Sequence, residues 1–408
     1  MGLLRRNSSG LRTTSPGKRH NMIYQKHLPH HHPHWHLRPH LIRLVQWVRS
    51  NTVLVIAALA ALLTSCIVPP DAAYANYFDW KTLTCLFCVL AVVCALKNVK
   101  FFTILARKIV DCTGNLRMAT VALVYITFIG SMLIANDMAL LTFLPLGYFV
   151  LSSTGKERYM AFVFIMQNIA ANLGGMLTPF GNPQNLYLYT KFGIPTGEFM
   201  QIMLWPFLAS IALITLCCLC LPKHPLAITE ECPYKLQPKR TALYLVLFVL
   251  SIVIVFRVIP YWIGLIVIPA VLLFADREAL RAVDYPLLLT FVCFFIFAGN
   301  MARIPAVSNL FSSLLEKNTL LVSVLSCQVI SNVPSAILLS QFTTDYPALL
   351  LGVNIGGTGT LIASLASLIT FREYTSHNPG KAGTYILLFS AFNFGFMILL
   401  TFFASFLL

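Results

Sequence analysis

Two pairs of short polar segments interrupt long apolar runs in this chain, and their residue types suit ion chemistry. Ile134-Ala135-Asn136-Asp137 precedes Asn172-Leu173-Gly174-Gly175 and the run Thr178-Pro179-Phe180-Gly181-Asn182-Pro183-Gln184-Asn185. Ile330-Ser331-Asn332-Val333 precedes Asn354-Ile355-Gly356-Gly357 and a stretch through Thr360, Ser364 and Ser367. In register, Asn136 matches Asn332, Asn172 matches Asn354, Thr178 matches Thr360, Asn182 matches Ser364, and Asn185 matches Ser367. A helix broken in mid-membrane presents amides with partial positive charge and carbonyls with partial negative charge, so such a segment can hold either sign of ion. Two prolines remove backbone donors between 178 and 185, glycine permits unusual dihedrals, and carbonyls there are expected to be free for a cation. A packed proline kink accounts for one proline, but not for two with Gly, Gln and two Asn in eight residues.

Asp137 is the only acid inside an apolar segment. At that depth a carboxylate must face a cavity, pair with a cation or take up a proton, which makes it the candidate coupling group. Capping a hairpin helix through backbone amides is the alternative use. Val333 stands at the matching position, so the acid breaks the repeat. Asn136 and Asn332 at the hairpin tips suit ligand contact or interhelical bonding, and the two Gly-Gly pairs suit hinges or close packing. No basic residue matches them in the interior, so an anion would be held by helix amides and by Ser331, Asn332, Thr360, Ser364 and Ser367.

The elements that position these residues follow from composition. Hydrophobic residues are 58% and charged residues 11% of 408, against about 25% charged in soluble domains, and mean hydropathy is +0.77. The fold class is therefore an all-α polytopic membrane protein. Apolar windows of about 20 residues give about nine transmembrane helices, near 51–70, 80–96, 159–191, 199–221, 241–258, 262–275, 284–300, 349–371 and 384–406. Two more apolar pairs, 118–152 and 319–346, are broken at Asn136 and Asn332 and read as re-entrant hairpins. The predicted domains are a tail (1–49), a first repeat with a leading helix (50–221), a linker (222–240) and a second, inverted repeat with its own broken helix (241–408).

With the N-terminus cytoplasmic, the inside segments hold all but five of the 29 basic residues, as the positive-inside rule requires. The exceptions are Lys81, Lys191, Arg257, Arg303 and Lys317. The net charge of +15 is thus an orientation signal rather than a sign of nucleic-acid binding. The first 49 residues carry no acid and eight of the ten histidines, seven of them between His27 and His40. Such a tail reads as disordered, either collecting a transition metal or touching anionic lipid. The cysteines, including Cys85 and Cys88, lie mostly in apolar spans and read as small hydrophobes, with a thiolate site for arsenite as the other use.

IANDMALLTFLPL with LTPFGNPQNL, and CQVISNVPSAILL with NIGGTGTLIASLASLI, resemble the ion transporter superfamily, particularly its arsenite-permease-like and citrate-transporter-like anion permease branch, over residues 50–408. The resemblance implies an inverted-repeat fold with a scaffold and a transport part, two hairpins, sodium or proton sites at tips and broken helices, elevator-type movement and a possible homodimer in a bacterial inner membrane. It implies one half-site at Asn136, Gly181 and Asn182 and another at Ser331, Asn332, Thr360 and Ser364. The tips read Ala-Asn-Asp and Ser-Asn-Val where dicarboxylate carriers resemble Ser-Asn-Thr, and Asn136-Asp137 is nearer the arsenite-permease pattern. The expected function is a secondary carrier for a small anion, coupled to H+ or Na+ without other cofactor. Arsenite or antimonite efflux and cation/proton antiport are alternatives. A channel fits less well, because hairpins from opposite faces favour alternating access, and the spans hold no enzyme-like residue set.

Overall fold

Polar residues at the loop edges start the helices. Asp79, Asn115, Asp284 and Asp345 each accept a first-turn backbone N–H, from Thr82 (3.0 Å), Met118 (3.0 Å), Leu287 (2.9 Å) and Ala348 (3.3 Å). Each bond satisfies a donor that the helix itself leaves open. Prolines stand in the first turn at Pro183, Pro238 and Pro305, where the missing N–H costs nothing.

The computed structural model describes residues 47–48, 51–226 and 235–408. The His-rich tail, with its metal and lipid readings, and the middle of the linker lie outside the described residues. Those from Asn51 to Leu408 fall in one compact unit, with seventeen α-helices and no strand among the described residues. They are α1 (Thr52–Ile67), α2 (Trp80–Asn98), α3 (Phe101–Asp111), α4 (Leu116–Ile134), α5 (Asn136–Ser153), α6 (Met160–Gly174), α7 (Pro183–Lys191), α8 (Thr196–Leu219) and α9 (Pro238–Val255). The second half continues with α10 (Tyr261–Ala275), α11 (Arg277–Arg281), α12 (Tyr285–Ala302), α13 (Pro305–Ile330), α14 (Asn332–Leu339), α15 (Tyr346–Ile355), α16 (Leu365–His377) and α17 (Ala382–Ala404).

Eight helical stretches among the described residues are long and apolar enough to cross a bilayer. Six coincide with expected crossings, and the other two are α4 and α13, the leading hairpin arms. Of the remaining expected crossings, α1 and α10 are shorter, at 16 and 15 residues, and 349–371 is broken into α15 and α16. Phe274, Leu387 and Phe402 are exposed. Apolar residues exposed on so many helices suit hydrocarbon as the solvent.

The segments read as re-entrant hairpins are each a pair of packed helices joined by one residue, α4 and α5 through Ala135, and α13 and α14 through Ser331. Residues 305–317 form the first part of α13. Asn318 bends that helix (φ −166°, ψ 93°) and accepts from the Leu321 N–H at 2.8 Å. Asn318 thereby repeats the capping role of Asn115. Beyond the hairpins the halves interlock: α7 packs on α14 and α15, while α16 packs on α5 and α6.

Candidate functional site

The site begins with two strained residues. Ala135 (φ 66°, ψ 152°) and Ser331 (φ 75°, ψ 160°) hold a backbone region that is almost restricted to glycine. Each costs about 1–3 kcal/mol and persists only where packing enforces it. The following asparagines make the same local bond, since Asn136 Oδ1 accepts from Asp137 N (3.0 Å) and Asn332 Oδ1 from Val333 N (2.9 Å). The two tips share one conformation although only the asparagine is common to both.

The helix breaks arise differently. Between α6 and α7 the chain passes Pro179 and Pro183, and a Cβ at Gly181 would strike Gly175 O. Between α15 and α16 there is no proline, and Gly359 (φ 117°) makes the turn. Several carbonyls at the breaks are occupied, and of the run expected to be free, Thr178 O and Asn182 O are among them. Asn185 Nδ2 donates to Gly175 O (3.1 Å), Met176 O (3.2 Å) and Thr178 O (3.4 Å). Gln328 Nε2 donates to Gly356 O (2.8 Å) and Thr358 O (3.2 Å), and its Oε1 accepts from Thr360 N (2.9 Å). Freed backbone groups at this depth must find partners, and amide side chains supply them.

Two asparagines then tie each half to the other. Asn172 Oδ1 accepts from Asn136 Nδ2 (3.2 Å) and Ser364 Oγ (2.7 Å). Asn354 Oδ1 accepts from Asn182 Nδ2 (3.2 Å), and Asn354 Nδ2 donates to Asn185 Oδ1 (2.6 Å). The repeat-matched pair Asn182 and Ser364 thus each reach the pivot amide of the opposite half.

A cavity of about 50 Å³ lies among these elements, with room for a few waters or one small ion. Its polar lining includes Asn136, Asp137, Gln184, Ser331, Asn332 and Ser364. Four helices begin at this cavity: α5 at Asn136, α7 at Pro183, α14 at Asn332 and α16 at Leu365. Four N-termini concentrate positive partial charge there without a basic side chain. Asp137 Oδ1, Gln184 Oε1 and nearby Asn182 Oδ1 are buried without a hydrogen-bond partner. Such atoms mark places where a proton, water or ligand completes the bonding.

Of the residues singled out in the sequence, Asn136, Asp137, Ser331, Asn332 and Ser364 line the cavity. Thr178, Gly181, Asn182, Asn185, Thr360 and Ser367 lie behind it in the supporting bonds: Thr178 Oγ1 donates to Met132 O, Thr360 Oγ1 to Gln328 O, and Ser367 Oγ accepts from Asn168 Nδ2. Sequence reasoning did not assign site roles to Gln184, Asn172, Asn354 or Gln328. Asn172 and Asn354 were signalled by their matching places before the Gly-Gly pairs. Gln328 carried no repeat signal. No group of three His, Cys, Asp or Glu able to hold a metal occurs among the described residues.

The sequence profile of a citrate transporter family matches residues 41–345. The chain is 33% identical over 313 residues to "Uncharacterized transporter MJ0456" of Methanocaldococcus jannaschii, covering 76% of this chain and 85% of that one. It is 30% identical over 304 residues to "Inner membrane protein YbiR" of Escherichia coli, covering 72% and 80%. With a multi-helix membrane fold and a match over most of its length, the chain belongs to the citrate transporter family and is a membrane transporter.

Proposed function

We propose that this transporter carries a small anion together with a proton, and that Asp137 is the proton carrier. The observation that carries the reading is the meeting of four helix N-termini on one cavity that also holds a carboxyl without a cationic partner. The N-termini favour an anion, each by about 0.3–1 kcal/mol and by up to ~2 kcal/mol where buried. An ionised Asp137 opposes it: at about 5 Å and an effective dielectric constant near 20, the repulsion is about 3 kcal/mol. A proton entering with the anion removes that repulsion and couples the two solutes. Sodium coupling has less support, because Asn185 and Gln328 already bond five of the break carbonyls, those of Gly175, Met176, Thr178, Gly356 and Thr358.

The two halves act as inverted copies whose hairpins and broken helices move as one transport part, with the N-terminus cytoplasmic in a bacterial inner membrane. The matched tips and the reciprocal Asn172–Ser364 and Asn354–Asn182 bonds support this arrangement. A carrier of this kind has no enzymatic chemistry. The small cavity belongs to an occluded state in this reading, which a larger carboxylate would have to open.

Solute counterflow in proteoliposomes tests it with a panel of phosphate, sulfate, dicarboxylates and citrate under imposed proton or sodium gradients. The expected result is trans-stimulated uptake of at least one anion, driven by an inward proton gradient and lost in Asp137→Asn. Proton-driven uptake that survives in Asp137→Asn, or transport driven by sodium alone, would sink the assignment.

A further inference from the structure

Three of the five basic residues that fall outside the cytoplasmic charge excess converge at one place. Two adjoining cavities of about 310 and 370 Å³ share Lys81, Thr190 and Tyr261 in their walls; Arg257 lines one and Lys191 the other. Of the remaining two, Arg303 is paired with Asp71 at 2.7 Å, and Lys317 lies elsewhere. Lys81 and Lys191 are exposed, and neither is in an ion pair among the described residues.

Arg257 donates to Tyr189 O and Ile194 O and lies 4.0 Å from the Tyr189 ring centroid. It therefore caps the end of α7 with partners that do not neutralise its charge. The only acid in the walls, Asp79, is committed to α2, where it accepts from Thr82 N (3.0 Å) and Thr82 Oγ1 (2.7 Å). The walls thus carry three cations against one acid and are net positive. The space is also linked to the central cavity by a single rigid element, since α7 begins at Pro183 and Gln184 in that cavity and ends at Thr190 and Lys191 here.

We propose that this double cavity is an anion-collecting vestibule, in which Lys81, Lys191 and Arg257 gather a small soluble inorganic or carboxylate anion one length of α7, about 12 Å, from the central site. Its purpose as an entrance rests on the anion-transport reading, whereas its affinity for anions does not. A charged mouth of this kind raises the local concentration of the opposite ion and speeds its capture, most strongly at low ionic strength.

Trp80 lies in the vestibule wall and is exposed, so it reports directly on local ions. A protein keeping Trp80 as its sole tryptophan, with the other four changed to Phe, is placed in phosphatidylcholine nanodiscs and quenched with iodide and with neutral acrylamide. The iodide-to-acrylamide ratio is expected to fall about threefold in Lys81→Gln/Lys191→Gln, and further in Lys81→Glu/Lys191→Glu, with the acrylamide response constant. Added sulfate is expected to protect Trp80 from iodide in the parent protein at matched ionic strength. Should the double variants not fold, the single Lys81→Gln and Lys191→Gln variants read the same ratio at a smaller change.

A ratio insensitive to these lysines overturns the proposal. So does a ratio set by phosphatidylglycerol content and indifferent to sulfate, which would assign the cations to lipid headgroups. Absence of any anion uptake by the unmodified protein would remove the transport reading and leave the quenching result standing, so the two failures are separable.

Discussion

The two broken helices solve one problem with different residues. The first is interrupted by prolines and satisfied from within, as Asn185 bonds three carbonyls of its own break. The second is interrupted by glycines and satisfied from a neighbour, as Gln328 reaches across from the α13 arm. The hairpins differ as well. The arms of the first are 19 and 18 residues long, whereas the return arm of the second has 8 and carries Val333 where the first has Asp137. What the halves share is backbone geometry: a positive-φ residue, an asparagine at each tip and a pivot asparagine before each break. The comparison teaches that geometry is the repeated feature, while the titratable group belongs to one copy.

The sharpest way to break this comparison is to move the acid. Asp137→Asn is expected to reduce proton-driven uptake to background in a folded protein, and Asp137→Val/Val333→Asp is not expected to restore it. Restoration by the swap would show that the halves are interchangeable, as read by pH-jump uptake in proteoliposomes.

Removing the amides that satisfy each break comes next. Asn185→Leu removes bonds to three carbonyls and to Asn354, of which Thr178 O keeps Gly181 N and Asn354 Nδ2 keeps Leu350 O; Gln328→Leu removes bonds to two carbonyls and the Thr360 amide. Each is expected to cost about 3 kcal/mol, at the rate of ~1 kcal/mol or more per buried group left unmade, measured by chemical unfolding in mixed micelles. A double-mutant cycle of Asn185→Leu with Asn354→Leu should show coupling above about 0.5 kcal/mol, because the two are bonded directly. Strict additivity would break the claim that the pivot amides join the halves.

Gly359→Ala should destabilise by about 2 kcal/mol, since φ is 117° and the new Cβ would meet Gln328 Oε1. The smallest effects sharpen the tip comparison. Ala135→Gly should stabilise by about 1 kcal/mol by relieving strain, net of the entropic cost of glycine. Ser331→Gly should gain less, because it also loses the bond from Ser331 Oγ to Ala363 O at 3.2 Å. Both are read as shifts in melting temperature.

Much of this was legible in the chain. Asn136, Asp137, Ser331, Asn332 and Ser364 were picked out as polar residues in apolar runs, and all line the cavity. Their visibility has a physical cause, because a polar side chain in hydrocarbon is too costly to keep without a partner or a purpose. Gln328 was not legible: it lies within a hydrophobic helical arm, and its partners are 28 to 32 residues away across the second break. The bonds from Asn185 to Gly175 O, Met176 O and Thr178 O were hidden for a related reason. Proline and glycine show where hydrogen bonding stops, but not which distant amide completes it.

The sequence by itself determined a helical membrane chain with two matched halves, the places where its helices are interrupted, and the single acid inside an apolar run. Hydropathy, proline and glycine act locally, so one dimension carries them. Only the tertiary structure decided that four helix starts share one cavity, that Asn172 and Asn354 each serve the opposite half, and that Lys81, Lys191 and Arg257 meet at the far end of α7. Those facts depend on which helices pack together, and packing across more than a hundred residues of chain is fixed by the fit of whole surfaces rather than by any local pattern.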